Sequence, residues 1–123
     1  MPKQKIKKTC KPLRKLSLLE AIQRLKTATE PVMVQFKADW CGACQQTTPE
    51  VQQASCDLEG EIEVVQVDVD EQPLLATEFG VEGLPTVAIV RHGKVEASSV
   101  GSENAKHFKK MARDWLKANG YKG

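Results

Sequence analysis

Apolar positions along the 123-residue chain change their spacing in a way that marks out its elements. Leu18, Ile22 and Leu25 recur at helical intervals behind Ser17-Leu18-Leu19-Glu20, which has the form of a capping box, so a helix is expected from about Leu18 to Ala28. Val32 to Phe36 is a β-favouring run, apolar except at Gln35, and fits a buried strand. Cys44 to Leu58 reads as a helix with a kink at Pro49. Ile62 to Val69 reads as a second strand, Gln72 to Phe79 as a short helix and Thr86 to Val90 as a third strand. His92-Gly93 forms the turn into a fourth strand, Val95 to Val100. Phe108, Met111, Ala112, Trp115 and Leu116 make an apolar stripe on a last helix, from about Asn104 to Asn119.

Helix–strand alternation in the first half implies a parallel crossover, and the late hairpin adds antiparallel strands. The expected fold is α/β: a central mixed sheet of about four to five strands with helices on both faces. An apolar fraction of 41% supports a core, and the length suits one small domain. No apolar run approaches the roughly 20 residues of a membrane span.

Charge divides the chain unevenly. Residues 1–16 hold seven of the 18 Lys and Arg residues and no acid; residues 17–123 carry 11 basic and 16 acidic side chains, a net of −5. The expected organisation is a basic, flexible extension over residues 1–16 and a folded domain over 17–123. A solvated arm is the favoured reading of the extension, with an acidic protein, anionic lipid or nucleic acid as the partners its charge would suit. It has an export signal's first charges but no apolar stretch or cleavage site after them, so a cytoplasmic, reducing location is expected.

Cys41-Gly42-Ala43-Cys44 stands where a strand gives way to a helix. A cysteine at a helix N-terminus has its sulfur near unpaired N–H groups and the positive end of the helix dipole, which favours the thiolate. Two intervening residues let the second sulfur resolve a mixed disulfide formed on the first. Gly42 permits the close turn, and Trp40 is placed to shield the sulfurs. A zinc site would need a second cysteine pair, and Cys10 and Cys56 stand singly, 46 residues apart. Dithiol chemistry is therefore favoured over metal binding and over an inert buried pair. Cys10 and Cys56 are read mainly as bystanders, Trp115 as core, His92 as a turn residue and His107 as lying on a polar helix face.

Ala38-Asp39-Trp40-Cys41-Gly42-Ala43-Cys44, Pro49, Asp68-Val69-Asp70 and Phe79-Gly80-Val81-Glu82-Gly83-Leu84-Pro85-Thr86, with Gly93 and Gly101, together resemble the thioredoxin family from about residue 17 to 119. The resemblance implies the thioredoxin fold and a protein-disulfide reductase, with Cys41 as nucleophile and Cys44 as resolving thiol. Pro85 takes the place of the family's cis-proline, and Trp40, Gly42, Ala43, Gly83, Leu84 and Thr86 support or line the substrate groove. No metal or organic cofactor is implied beyond the Cys41–Cys44 disulfide. The implied partners are disulfide-containing proteins and an upstream disulfide reductase, acting on a monomer.

Three departures stand out. Ala43 replaces a proline common between the cysteines, which is expected to shift the potential. Gln35 and Gln66 stand where the family has a buried aspartate and its lysine partner, and are expected to hydrogen-bond to each other. Neither amide titrates, so the proton of Cys44 is left to water, Asp39 or substrate. Lys37 replaces an aromatic residue and is expected to be solvated. A redox sensor or partner-binding module, or a net oxidant or isomerase, are the alternative functions.

Overall fold

The computed structural model describes residues 10–121. Five strands form one mixed sheet: β1 (Arg14–Lys15), β2 (Val32–Lys37), β3 (Glu63–Asp68), β4 (Thr86–Arg91) and β5 (Lys94–Val100), in the order β1-β3-β2-β4-β5. β1 and β2 both run parallel to β3, while β2–β4 and β4–β5 are antiparallel. The helices are α1 (Leu18–Ala21), which continues as a π-helical stretch over Ile22–Thr27, then α2 (Gly42–Asp57), α3 (Pro73–Glu78) and α4 (Ala105–Ala118).

Local chemistry sets these boundaries. The capping box forms as expected: Glu20 N donates to Ser17 Oγ at 3.3 Å, and Ser17 N donates to the Glu20 carboxylate at 3.0 Å. That backbone bond, aided by Arg14, holds the Glu20 carboxyl below its ordinary pKa. α4 is capped by Asn104, whose side chain accepts from His107 N at 2.9 Å. The β4–β5 turn needs left-handed backbone at His92 and Gly93, with φ of 54° and 80°.

Strand alternation divides the core in two. Val32, Val34, Phe36, Val65 and Val67 pack with α1 and α3 residues such as Ala21, Leu25 and Leu75. Met33, Val64, Val87 and Ile89 face the other way, onto Val51 and Ala54 of α2, Leu58 just after it, and Phe108, Ala112 and Trp115 of α4. Gln35 lies between Val34 and Phe36, so the pleat turns it toward α2. In that position it is wholly buried.

The structure differs from expectation at the N-terminal side. The boundary expected after residue 16 falls inside the packing: Arg14 and Lys15 pair with Val65 and Gln66, and Leu16 is 1% exposed. A strand of two polar, exposed residues has no alternation to detect, so its pairing depends on β3 alone. Of the basic, flexible extension expected over residues 1–16, residues 1–9 fall outside the described residues. Cys10 and Cys56, read as single cysteines, are disulfide-bonded with their Cα atoms 5.1 Å apart. Tertiary folding brings them together across 46 residues, and no local spacing carries that information. Among the described residues, no helix is long and apolar enough to cross a membrane.

Candidate active site

Cys41 and Cys44 lie at the junction of β2 and α2 and are disulfide-bonded, with Cα atoms 5.2 Å apart. Cys41 is the N-cap of α2, and its sulfur accepts from Cys44 N at 3.1 Å. A sulfur in this place occupies the position a serine oxygen takes in an ordinary cap, so negative charge on it is stabilised by the helix N-terminus. Cys41 is 7% exposed and Cys44 2%. Cys41 is therefore the less buried residue of the two.

Ala38 clusters with the two cysteines, and Val69 and Leu84 pack against that cluster. Trp40, expected to shield the sulfurs, is 70% exposed, and its indole N–H donates to Asp70 at 2.8 Å. Gly42 and Ala43 face solvent on the first turn of α2, and a Cβ at Gly42 would meet nothing within 4 Å. The chain's own packing thus gives no steric reason for glycine at 42. Leu84 and buried Pro85 are joined by a cis peptide bond. Thr86, 6% exposed, donates its hydroxyl to Gly83 O at 2.6 Å, tying the loop before β4 to the start of the strand. A Cβ on Gly83 would come within 3.3 Å of Val100 Cγ1, so this position is crowded by β5.

Gln35 and Gln66 are register partners on neighbouring strands, and Gln66 Nε2 donates to Gln35 Oε1 at 3.0 Å. The expected amide pair is present, and it extends further than expected. Gln35 Nε2 donates to Thr48 Oγ1 at 3.1 Å, and Thr48 Oγ1 donates to the Cys44 carbonyl at 2.9 Å. Thr47 does the same one residue earlier, donating to Ala43 O at 2.8 Å, and its oxygen lies 3.1 Å from Ser102 Oγ. Both threonines back-bond to the residue four positions earlier, just before Pro49. The sequence signal was there: two threonines four residues after Ala43 and Cys44.

Lys37 is not solvated as expected. Its side chain is 17% exposed and bonds Asp39 at 2.8 Å, with Asp68 3.6 Å away. The Asp39 bond raises the Lys37 pKa above its ordinary value, with Asp68 adding to the effect. In return Lys37 holds the Asp39 carboxyl below the usual carboxylate range. Asp68, 4% exposed at its side chain, is further satisfied by Asp70 N at 2.9 Å. Asp39 points out to solvent with 86% of its side chain exposed, an ionised group at neutral pH and hence a weak proton acceptor. Among the described residues, no group of three or more His, Cys, Asp or Glu is placed to hold a metal ion.

The model of the thioredoxin family matches residues 14–114. Thioredoxin 1 of Chlorobaculum tepidum is 35% identical over 96 residues, covering 78% of this chain and 92% of that protein. Thioredoxin of Rickettsia bellii is 33% identical over 89 residues, covering 72% and 81%. Among solved structures, a thioredoxin of Malassezia sympodialis superposes with a TM-score of 0.74 at 23% identity, covering 83% of this chain and 89% of that one.

Proposed function

This chain belongs to the thioredoxin family of thiol–disulfide oxidoreductases, and we propose that it reduces protein disulfides by Cys41 attack and Cys44 resolution. The Cys41 thiolate attacks one sulfur of a substrate disulfide, and the other substrate sulfur leaves as a thiolate and takes a proton. The Cys44 thiolate then attacks the Cys41 sulfur, freeing the second substrate thiol and closing the Cys41–Cys44 bond. Two electrons pass to substrate in each cycle. No metal or organic cofactor enters this scheme, and an upstream disulfide reductase returns the pair to dithiol.

The observation that carries the assignment is the sulfur of Cys41 at the α2 N-cap, accepting a hydrogen bond from Cys44 N. An extended substrate segment would lie along Gly83 and Leu84, whose backbone precedes Pro85, with Trp40 and Thr86 bordering the same groove. Pro85, buried and joined by a cis bond to Leu84, would hold that backbone in place. Gln35 and Gln66 offer no titrating group beneath Cys44, and Asp39 is tied to Lys37. We place the protein in a reducing, cytoplasmic setting as a monomer that meets varied protein disulfides.

Turnover of a disulfide-linked protein such as insulin tests the scheme. Cys41→Ser abolishes it, and Cys44→Ser accumulates a mixed disulfide through Cys41, visible by mass spectrometry without reductant. A Cys44→Ser protein that turns over as the parent does overturns the resolving role. The potential of the pair, measured against glutathione and dithiothreitol, separates reductant from oxidant. A value near the roughly −270 mV of thioredoxin fits the proposal, and one near −120 to −180 mV does not.

A further inference from the structure

We propose that Cys10–Cys56 is a second redox site, a strap whose reduction by a dithiol frees residues 10–15 from α2 and from the sheet edge. The inference rests on the reducing location proposed above for one step. In such compartments a persistent structural disulfide is uncommon, and those that form are mostly transient or redox-sensing.

The two disulfides occupy opposite ends of one helix. Twelve residues separate Cys44 from Cys56, which at 1.5 Å per residue sets them about 18 Å apart along α2. The Cys41–Cys44 pair therefore cannot exchange with Cys10–Cys56 inside one rigid chain. The second pair lies on the wall of a surface cleft. Both cysteines are half-buried and line a solvent-open cleft of about 830 Å³, whose other walls include Arg24, Glu30, Glu63 and Tyr121.

What the bond fastens is short. Gln52, one helical turn before Cys56, grips the segment by its backbone: its Oε1 accepts from Leu13 N at 2.7 Å, and its Nε2 donates to Lys11 O at 2.9 Å. The same amide lies 3.5 Å from Cys10 Sγ and 3.7 Å from Cys56 Sγ. Beyond Leu13 come the two exposed residues of β1, and then Leu16, fully buried. With the disulfide open, the described residues of the strap are held by the Gln52 clamp, by Leu13 packed on the core, by the two-residue pairing with β3 and by the exposed Arg14–Glu20 and Lys15–Glu71 ion pairs, and Leu16 marks where release stops. Freed, the strap removes one wall of the cleft and bares the backbone edge of β3 at Val65 and Gln66.

The exchange balances with a dithiol as reductant, of the class that a second copy's Cys41 and Cys44 supply. One thiolate of the dithiol attacks a sulfur of the Cys10–Cys56 bond, releasing the other as a thiolate that takes a proton. The second thiol of the reductant then closes its own disulfide and frees the remaining cysteine. Two electrons and two protons reach Cys10 and Cys56.

The test uses the full chain carrying Cys41→Ser and Cys44→Ser, so its outcome is independent of how the first pair reacts. The protein is equilibrated with graded dithiothreitol, its thiols are counted by alkylation and mass spectrometry, and trypsin cleavage after Arg14 and Lys15 is timed beside far-ultraviolet circular dichroism. We expect two thiols per chain to appear with the dichroism unchanged, and cleavage at those sites to quicken about tenfold or more as the strap opens. Adding Cys10→Ser gives fast cleavage with or without reductant. Three results each overturn the proposal: a bond that yields only as the chain unfolds, reduction with no change in cleavage, or a Cys10→Ser protein as resistant as the oxidised one.

Discussion

The two ends of α2 carry the same covalent bond with opposite consequences. At the N-terminal end the bond closes a loop of sequence separation 3, between cysteines buried against Ala38, Val69 and Leu84. At the C-terminal end it closes a separation of 46, between half-buried cysteines at the lip of a cleft. Loop-closure entropy gives the long ring roughly 4 kcal/mol of stabilisation and the short one roughly 2. The short bond costs little to make or break, and a helix cap supports its open, anionic form. Breaking the long bond instead releases a segment of chain. The fold thus separates chemistry from tethering by the length of one helix.

The sharpest way to break this comparison is to remove one sulfur at each end. Cys41→Ser is expected to reduce disulfide turnover to background, whereas Cys56→Ser leaves it within about twofold, because distant sites act independently. Comparable losses from both variants in a turnover assay would mean the ends are coupled.

Urea unfolding reads the other side. Cys10→Ser is expected to lower stability by about 2–4 kcal/mol, and the Cys41→Ser, Cys44→Ser double variant by less. If the double variant lost more, loop length would not be the governing quantity.

Gln35 sharpens the N-terminal end. Gln35→Leu leaves Gln66 and Thr48 without their partner and is expected to cost about 1–3 kcal/mol in the same unfolding measurement. Gln35→Asp puts a titrating group there, so the pH profile of turnover should gain an ionisation that the parent lacks.

The smallest expected effect belongs to Lys37 and Asp39. Asp39, with its pKa lowered, contributes stability that is present above the ordinary carboxylate range and lost as pH falls through its depressed folded value. Lys37, with its pKa raised, contributes below the ordinary lysine value and loses that contribution as pH rises through the folded one. Between those limits stability should be flat with respect to this pair. Lys37→Met should return the Asp39 titration, followed by NMR, toward the ordinary carboxylate range.

What could be read from sequence at each end follows from the range of the interactions. The C-x-x-C motif and the Ser17–Glu20 box are local, and each left a pattern in the residues, whereas the Gln35–Gln66 pair was legible only through the family resemblance. Expected helix and strand limits fell within a few residues of those observed because apolar periodicity sets them. The Cys10–Cys56 bond, the β1 pairing and the burial of Lys37 between Asp39 and Asp68 arise only once distant segments meet. Thr48 lies between these cases: its spacing from Cys44 is local, but its role depends on Gln35 reaching across from the sheet.

The shorter hydrogen bonds leading to the Cys44 carbonyl run from Gln66 to Gln35 to Thr48, and Thr48 also lies 3.5 Å from the Gln35 amide oxygen. A proton wire conducts only if each link can both take up and give up a proton, and a side-chain amide does neither at neutral pH. This chain of bonds is an insulator at the floor of the site. In the proposed scheme a proton exchanged at Cys44 arrives from the solvent side, where a substrate disulfide would dock. Substrate and proton share one door, so the snugness of docking, as well as the acidity of the thiols, sets the tempo of the resolving step.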